Sequence, residues 1–463
     1  MIAELAVKTK RRSLEGHYMA ATIDISQSLR KRLTRDSVVV FGIGVFSTGI
    51  SFVTSIVLAR SLGAQGYGVY AYAFTLVAVM QILANLGLPN LLVRCISAYR
   101  MKGEWGLMAG LLRRSLQAVL ISTSLLIALG TAAAWLLGQR VSSEGLRTFS
   151  VALLMLPFLA LTSLRSSVLR ALFHAIPGQV PEAVAKPLLF LGLIAGAVLV
   201  TGGAELSPVA AMIMQLIATI ISFAIGAWLL KSRLPGELWT MTPSYAMAEW
   251  RQSAFPLILT SGITVINTYT DILMLGAMKD STSVGIYQVV ARGATMLTFF
   301  IYAVNTVVAP VASGLYTKGE TERLQRIVTL STRIVLAMTC PIALLLATYP
   351  REILRSLFGA QFSAGAEGLA ILSVCQMISV SMGSVWDLLI MTGHEKDVAK
   401  ASAISASLNV ALNAVLIPHL GINGAALATG MSTVLFSLML AVAVYRRTGL
   451  YTTAIAGVKA ARA

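Results

Sequence analysis

Charge is scarce in this sequence. Only 12% of its 463 residues are Asp, Glu, Lys or Arg, against roughly 25% in a soluble domain. Acids are the scarcer sign, with 19 Asp and Glu beside 36 Lys and Arg. A chain that is 57% hydrophobic lacks the polar surface to cover a soluble core, whereas lipid accepts apolar side chains facing outward. Cysteine is nearly absent. Cys95, Cys340 and Cys375 form an odd set with no CxxC spacing, which excludes a disulfide framework or a cysteine metal site and leaves three small hydrophobes. His17, His174, His394 and His419 are scattered singly, without metal-ligand spacing. No GxxxxGK phosphate loop and no DxD pair occur. Neither an ATPase nor a metal-dependent glycosyltransferase is indicated, and the chain is read as a non-enzyme.

What is present is long apolar runs. They fall near 37–59, 67–92, 113–137, 147–171, 178–200 and 208–230, then near 250–276, 283–312, 323–347, 364–391, 397–418 and 422–445. Each exceeds the ~20 residues a helix needs to cross ~30 Å of hydrocarbon. Backbone groups in lipid must bond within their own segment, so runs without barrel-like alternation must be helices. The breaks carry turn chemistry, as at Pro177-Gly178, Gly202-Gly203, Pro235-Gly236 and Pro418–Gly421. About twelve transmembrane helices are expected.

The net charge of +17 suggests nucleic acid until its placement is examined. With the N-terminus in the cytoplasm, 29 of the 36 Lys and Arg fall in inner segments, six in outer ones, and Arg292 inside a span. That bias orients the chain with both termini cytoplasmic. No basic stripe with interleaved aromatics occurs, so no nucleic-acid partner is expected. The dense basic run in 1–36 suits the anionic inner leaflet.

The chain also repeats itself. Leu62-Gly63-Ala64 followed by Gly68-Val69-Tyr70 is echoed by Leu275-Gly276-Ala277 followed by Gly285-Ile286-Tyr287. Six spans per half is an even number, so the repeat is parallel, with its pseudo-axis along the membrane normal. The organisation expected is a basic segment 1–36, an N-lobe 37–230, a linker 231–249, a C-lobe 250–445 and a tail 446–463. Substrate sites in such repeats lie between the lobes, near the midplane.

Two stretches then bring a family into view. Leu58-Ala59-Arg60-Ser61-Leu62-Gly63-Ala64-Gln65-Gly66-Tyr67-Gly68-Val69-Tyr70 resembles the signature of bacterial polysaccharide flippases. So does the pattern Leu408-Asn409, Asn413, Pro418, Gly421-Ile422, Gly424-Ala425-Ala426, Ala428-Thr429. These flippases belong to the multidrug/oligosaccharidyl-lipid/polysaccharide exporter superfamily, and the resemblance covers 37–445. It implies a V-shaped, two-lobed transporter of undecaprenyl-diphosphate-linked oligosaccharide, working by alternating access in the bacterial inner membrane. The implied partners are the lipid-linked sugar, membrane lipids, and polysaccharide polymerase and assembly proteins. No cofactor is implied; Na⁺ coupling, H⁺ coupling or the membrane potential alone remain open as energy sources. Similar lipid II flippases usually have fourteen spans and charged first spans, whereas the first span here offers only Ser47, Thr48, Ser51, Thr54 and Ser55. The cation-coupled multidrug branch, which shares the fold and length, and the lipid II flippases are the alternatives.

A diphosphate head cannot cross hydrocarbon without losing its solvation, so a flippase needs basic residues inside its spans. Such residues cost ~2.5–3.5 kcal/mol each on insertion scales and suggest function. Arg292, ten residues into the eighth span, is the first candidate; the competing reading pairs it with Asp271. Arg333 lies nearly as deep in the ninth span. Lys186 is shallower and reads first as an i,i+4 ion pair with Glu182. Arg165, with Arg170, reads as an inner-interface anchor that also suits catching diphosphate. Asp271 suits a coupling cation or a salt bridge to Arg292, and the salt bridge is favoured. Asp387 is assigned to interface water. Gln81, Asn85, Gln288 and Asn305 are candidate sugar contacts, with helix–helix hydrogen bonding as the commoner role.

Overall fold

The computed structural model describes the backbone of residues 2–138, 142–200, 202 and 206–454. Side chains are described within these from residue 39, except 137, 239, 253–256, 259–260, 307 and 309–310. The basic side chains of 1–36, together with Arg140, Lys459 and Arg462, lie outside the described residues. Among the described residues all regular structure is helical.

The helix Ile2–Asn85 is divided at Gly63, whose φ of 65° breaks the helical path. Its apolar portion Val39–Asn85 thus makes two passes, α1 (39–62) and α2 (64–85). Glycine fits there because it alone adopts positive φ freely. The amphipathic helix Leu88–Lys102 prolongs α2 after a left-handed Gly87. Next come α3 (Trp105–Leu137), α4 (Ser143–Ala171), α5 (Ala175–Val200) and α6 (Pro208–Lys231). The second half runs through α7 (Met247–Met278), α8 (281–317), α9 (Thr321–Thr348), α10 (Ala360–Met391), α11 (Glu395–Leu420) and α12 (Ile422–Thr448). The result is the twelve-helix, two-lobed layout of a multi-pass membrane protein.

The passes are interrupted where the sequence predicts continuous helices. A turn at Leu154-Met155 splits α4 before Pro157, and Gly383 at φ 79° splits α10. A π turn, Pro181–Ala185, lies inside α5. Such turns insert one extra residue per hydrogen-bonded loop and are frequent at functional sites.

Short hairpins at Gly63, Met278–Ser281 and Leu420–Ile422 gather at one end of the bundle, here termed the hairpin end. There the lobes touch through the repeated glycines. A Cβ on Gly68 would lie 1.7 Å from the Ser281 carbonyl oxygen, and one on Gly285 would lie 2.0 Å from that of Ala64. The contact is reciprocal, as a twofold relation between the halves requires. The Tyr72 ring lies against Gly276, where a Cβ would be 2.2 Å from Cε2. Arg60 Nε donates to the Leu357 carbonyl at 2.8 Å, its Nη2 donates to that of Ser356, and the Ala64 amide donates to Gln361 Oε1 at 2.9 Å. This end is closed by backbone-to-backbone packing.

Candidate functional site

Below the closed hairpin end lies a partly open cavity of about 230 Å³. Its walls come from both halves. From α1 come Ser47, Ser51, Thr54 and Ser55; from α2, Tyr67, Tyr70 and Phe74; from α5, Glu182, Lys186 and Phe190; from α6, Gln215; from α8, Gln288 and Arg292. The sequence places Gln288 and Arg292 together because residues four apart share a helix face. Lys186 and Arg292 thus approach one cavity from opposite lobes. The Lys186 ammonium lies 6.0 Å from the Phe74 ring centroid, within cation–π range. One wall is aromatic: Tyr70 stacks with Tyr67, Phe74 and Phe190 at centroid distances of 6.4, 6.3 and 6.3 Å. Ser55 Oγ and Tyr67 Oη are 2.8 Å apart. Gln215 Oε1 and Gln288 Oε1 are buried without a hydrogen-bond partner, in a cavity that admits a ligand or water.

Several expected partnerships are absent. Glu182 pairs with Arg165 rather than Lys186. The π turn between them removes the one-turn register that an i,i+4 pair needs. Arg165 is 3% exposed, so it is buried beside Glu182 and is not an interface anchor. Gly226 makes room for it: a Cβ there would lie 1.4 Å from Nη1. Arg292 and Asp271 form no ion pair. Asp271 instead accepts hydrogen bonds within the second lobe, from Tyr287 Oη at 2.8 Å, Asn413 Nδ2 at 2.7 Å and Thr429 Oγ1. Asn413 Nδ2 also donates to Asn409 Oδ1 at 3.1 Å, while Asn413 Oδ1 is buried without a partner.

The remaining candidates lie elsewhere. Arg333 is exposed, and its Nε donates to the Ala454 carbonyl at 3.2 Å, holding the chain that follows α12. Asn305 Nδ2 donates to Asp387 and its Oδ1 accepts from Ser384, a local cluster within the second lobe. Asp387 is therefore partnered and half-buried rather than facing interface water. Gln81 Nε2 donates to the Leu159 carbonyl at 3.4 Å, a helix–helix bond. Asn85 is buried with Oδ1 unpartnered, away from the cavity lining. Among the described residues no group of three or more His, Cys, Asp or Glu is placed to hold a metal ion.

Comparison with known proteins places this geometry. The family model described as "polysaccharide biosynthesis protein" matches residues 33–316. The chain belongs to that family. The MatE family model also matches, over residues 256–415. A probable low-salt glycan biosynthesis flippase of Haloferax volcanii is 25% identical over 405 residues, covering 86% of this chain and 81% of that protein. Among solved structures, an inward-facing multidrug resistance MATE transporter of the MOP superfamily superposes with a TM-score of 0.71 at 13% identity. It covers 90% of this chain and 96% of that one. The lipid II flippase MurJ, in an inward closed conformation, gives 0.65 at 17% identity, over 88% and 87% of the two chains. The chain thus has the fold of these transporters, and the two stretches that carry its resemblance to polysaccharide flippases have structural roles here. The first forms the Gly63 break, the Gly68 contact and the Tyr67–Tyr70 wall. The second forms the α11–α12 hairpin at Gly421, at φ 55°, and the shell around Asp271.

Sequence reasoning missed the aromatic wall, Gln215 and the role of Arg165. It also quoted Asn409, Asn413 and Thr429 without a function. The four-residue spacing of Asn409 and Asn413, two amides on one face of an apolar helix, was the available signal.

Proposed function

We propose that this protein flips undecaprenyl-diphosphate-linked oligosaccharide from the cytoplasmic to the periplasmic leaflet, for exopolysaccharide, O-antigen or capsule assembly. The observation that carries the reading is the pairing of Lys186 and Arg292 across one interlobe cavity. Two cations from different lobes suit a diphosphate, since each phosphate takes a charge-assisted partner where water is limited. The hydroxyls of α1 and the Tyr67–Tyr70 wall suit sugar, which offers both hydroxyls and apolar ring faces. The prenyl tail stays in lipid. The basic loops support an inner-membrane orientation with both termini cytoplasmic, in which the closed hairpin end faces the periplasm. A polymerase and assembly proteins consume the product.

We propose a second role for the Asp271 shell as a coupling-cation site. Asp271, Asn409, Asn413 and Thr429 bring side-chain oxygens together, and hard cations take oxygen ligands. This shell also gives the cation-coupled drug exporter its one structural argument. Arg292→Ala separates the two readings. The flippase loses surface glycan in cells while keeping normal amounts of protein in the membrane. Glycan output equal to wild type would remove Arg292 from the site, and drug sensitivity on deletion with intact glycan would favour the exporter.

A further inference from the structure

We propose that Glu182 sets the net charge of the cavity, and with it the charge state of the diphosphate that is accepted; this rests on the flippase reading above. Four charged groups bear on the cavity. Lys186 and Arg292 line it, and so does Glu182; Arg165 lies behind Glu182 and is joined to it. The pair cancels, leaving a net charge of +2. A sugar-linked prenyl diphosphate is a diester with one negative charge per phosphate, so it balances that cavity. The unsubstituted prenyl diphosphate is a monoester, and its terminal phosphate has a second ionisation near neutral pH. At pH 8 it carries a third negative charge, which would be desolvated without a partner and repelled by Glu182.

The geometry around Arg165 suits this role. Arg165 is 3% exposed, its Nε and Nη1 have no acceptor, and the second Glu182 oxygen has no donor. Arg165 is thus a cation held in reserve, with donor capacity that Glu182 does not use. Gly226 supplies its space. The π turn Pro181–Ala185 presents Glu182 between Arg165 and the cavity, and Ser222 Oγ donates to the Pro181 carbonyl at 2.7 Å, supporting that turn. Neutralising Glu182 would release Arg165 to serve a third negative charge. The selection places the protein after the class of reaction that produces a sugar-linked prenyl diphosphate, and it excludes the unsubstituted prenyl diphosphate.

The test uses the full chain in lipid nanodiscs at pH 8, with two probes, farnesyl diphosphate and farnesyl-diphosphate-linked N-acetylglucosamine. The readout is the ratio of their dissociation constants. Glu182→Gln raises the cavity to +3, Arg165→Gln lowers it to +1, and the double substitution returns it to +2. The ratio is expected to shift toward the monoester in Glu182→Gln and toward the diester in Arg165→Gln. Each shift is roughly a hundredfold, the scale of one charge at ~6 Å in an effective dielectric of ~20. The double variant keeps the wild-type ratio and leaves no buried charge unpaired, so a folding defect in one single variant still leaves the ordering measurable. Equal ratios in all variants, or a double variant displaced as far as a single one, would overturn the charge-setting role while leaving the flippase reading intact. Binding of neither probe by wild type would overturn both.

Discussion

Asp271 and Arg292 stand on consecutive helices and serve different chambers. Tyr287 points from α8 to Asp271. Arg292 follows five residues later, turned by about 140° at 100° per residue, and so faces the cavity. Opposite sign alone suggested a pair; the helical rotation forbids it once Tyr287 is placed. Three donated hydrogen bonds take the role that the guanidinium was expected to fill. A measurable consequence concerns the proposed cation. Ligands that bind only the folded state stabilise it by mass action, so Na⁺ should raise the melting temperature of the wild type in detergent. Asp271→Asn should abolish that rise. A wild-type melting temperature that is flat from zero to saturating sodium would sink a sodium site and leave the shell a structural hydrogen-bond cluster.

At the scale of elements, the lobes meet at two glycines. The Gly-Val-Tyr and Gly-Ile-Tyr repeats were legible in the sequence, yet their contact was not, because no one-dimensional pattern says that two similar turns face each other. The first glycines of the repeats even differ in use: Gly63 makes the break between α1 and α2, whereas Gly276 accommodates the Tyr72 ring inside α7. Gly68→Ala would place a methyl 1.7 Å from a backbone carbonyl oxygen, and a carbonyl in a packed helix has little room to retreat. The substitution should therefore favour states open at the hairpin end. Spin labels at Gln65 and Thr282 should report a longer mean distance in Gly68→Ala than in the parent, with transport reduced and helix content unchanged. An unaltered distance distribution would show that this contact does not hold the lobes together.

At the scale of the molecule, charge bears on the direction of the proposed transport. Moving a dianionic head outward, away from the negative side, releases ~2.3 kcal/mol per charge per 100 mV, or roughly 4–5 kcal/mol for two charges. Return of an empty cavity carrying +2 toward the negative side is downhill as well. In proteoliposomes with an imposed potassium diffusion potential, outward flipping should accelerate when the cytoplasmic side is negative and slow when the sign is reversed. A rate indifferent to both would mean that potential does not drive the cycle.

The sequence by itself determined that this chain is a multi-pass helical membrane protein and which family it resembles. Those properties follow from run length, loop charge and local signatures, all additive along the chain. Which polar groups share a chamber was decided only by the tertiary structure. Arg333, Asn305, Gln81 and Asn85 are as intramembrane in sequence as Arg292, Lys186 and Gln288, yet only the last three meet in the cavity. The difference is rotational: helix phase, the π turn in α5 and the packing of one lobe on the other decide which face each side chain presents. Burial cost marks a residue as worth explaining; geometry decides what it touches.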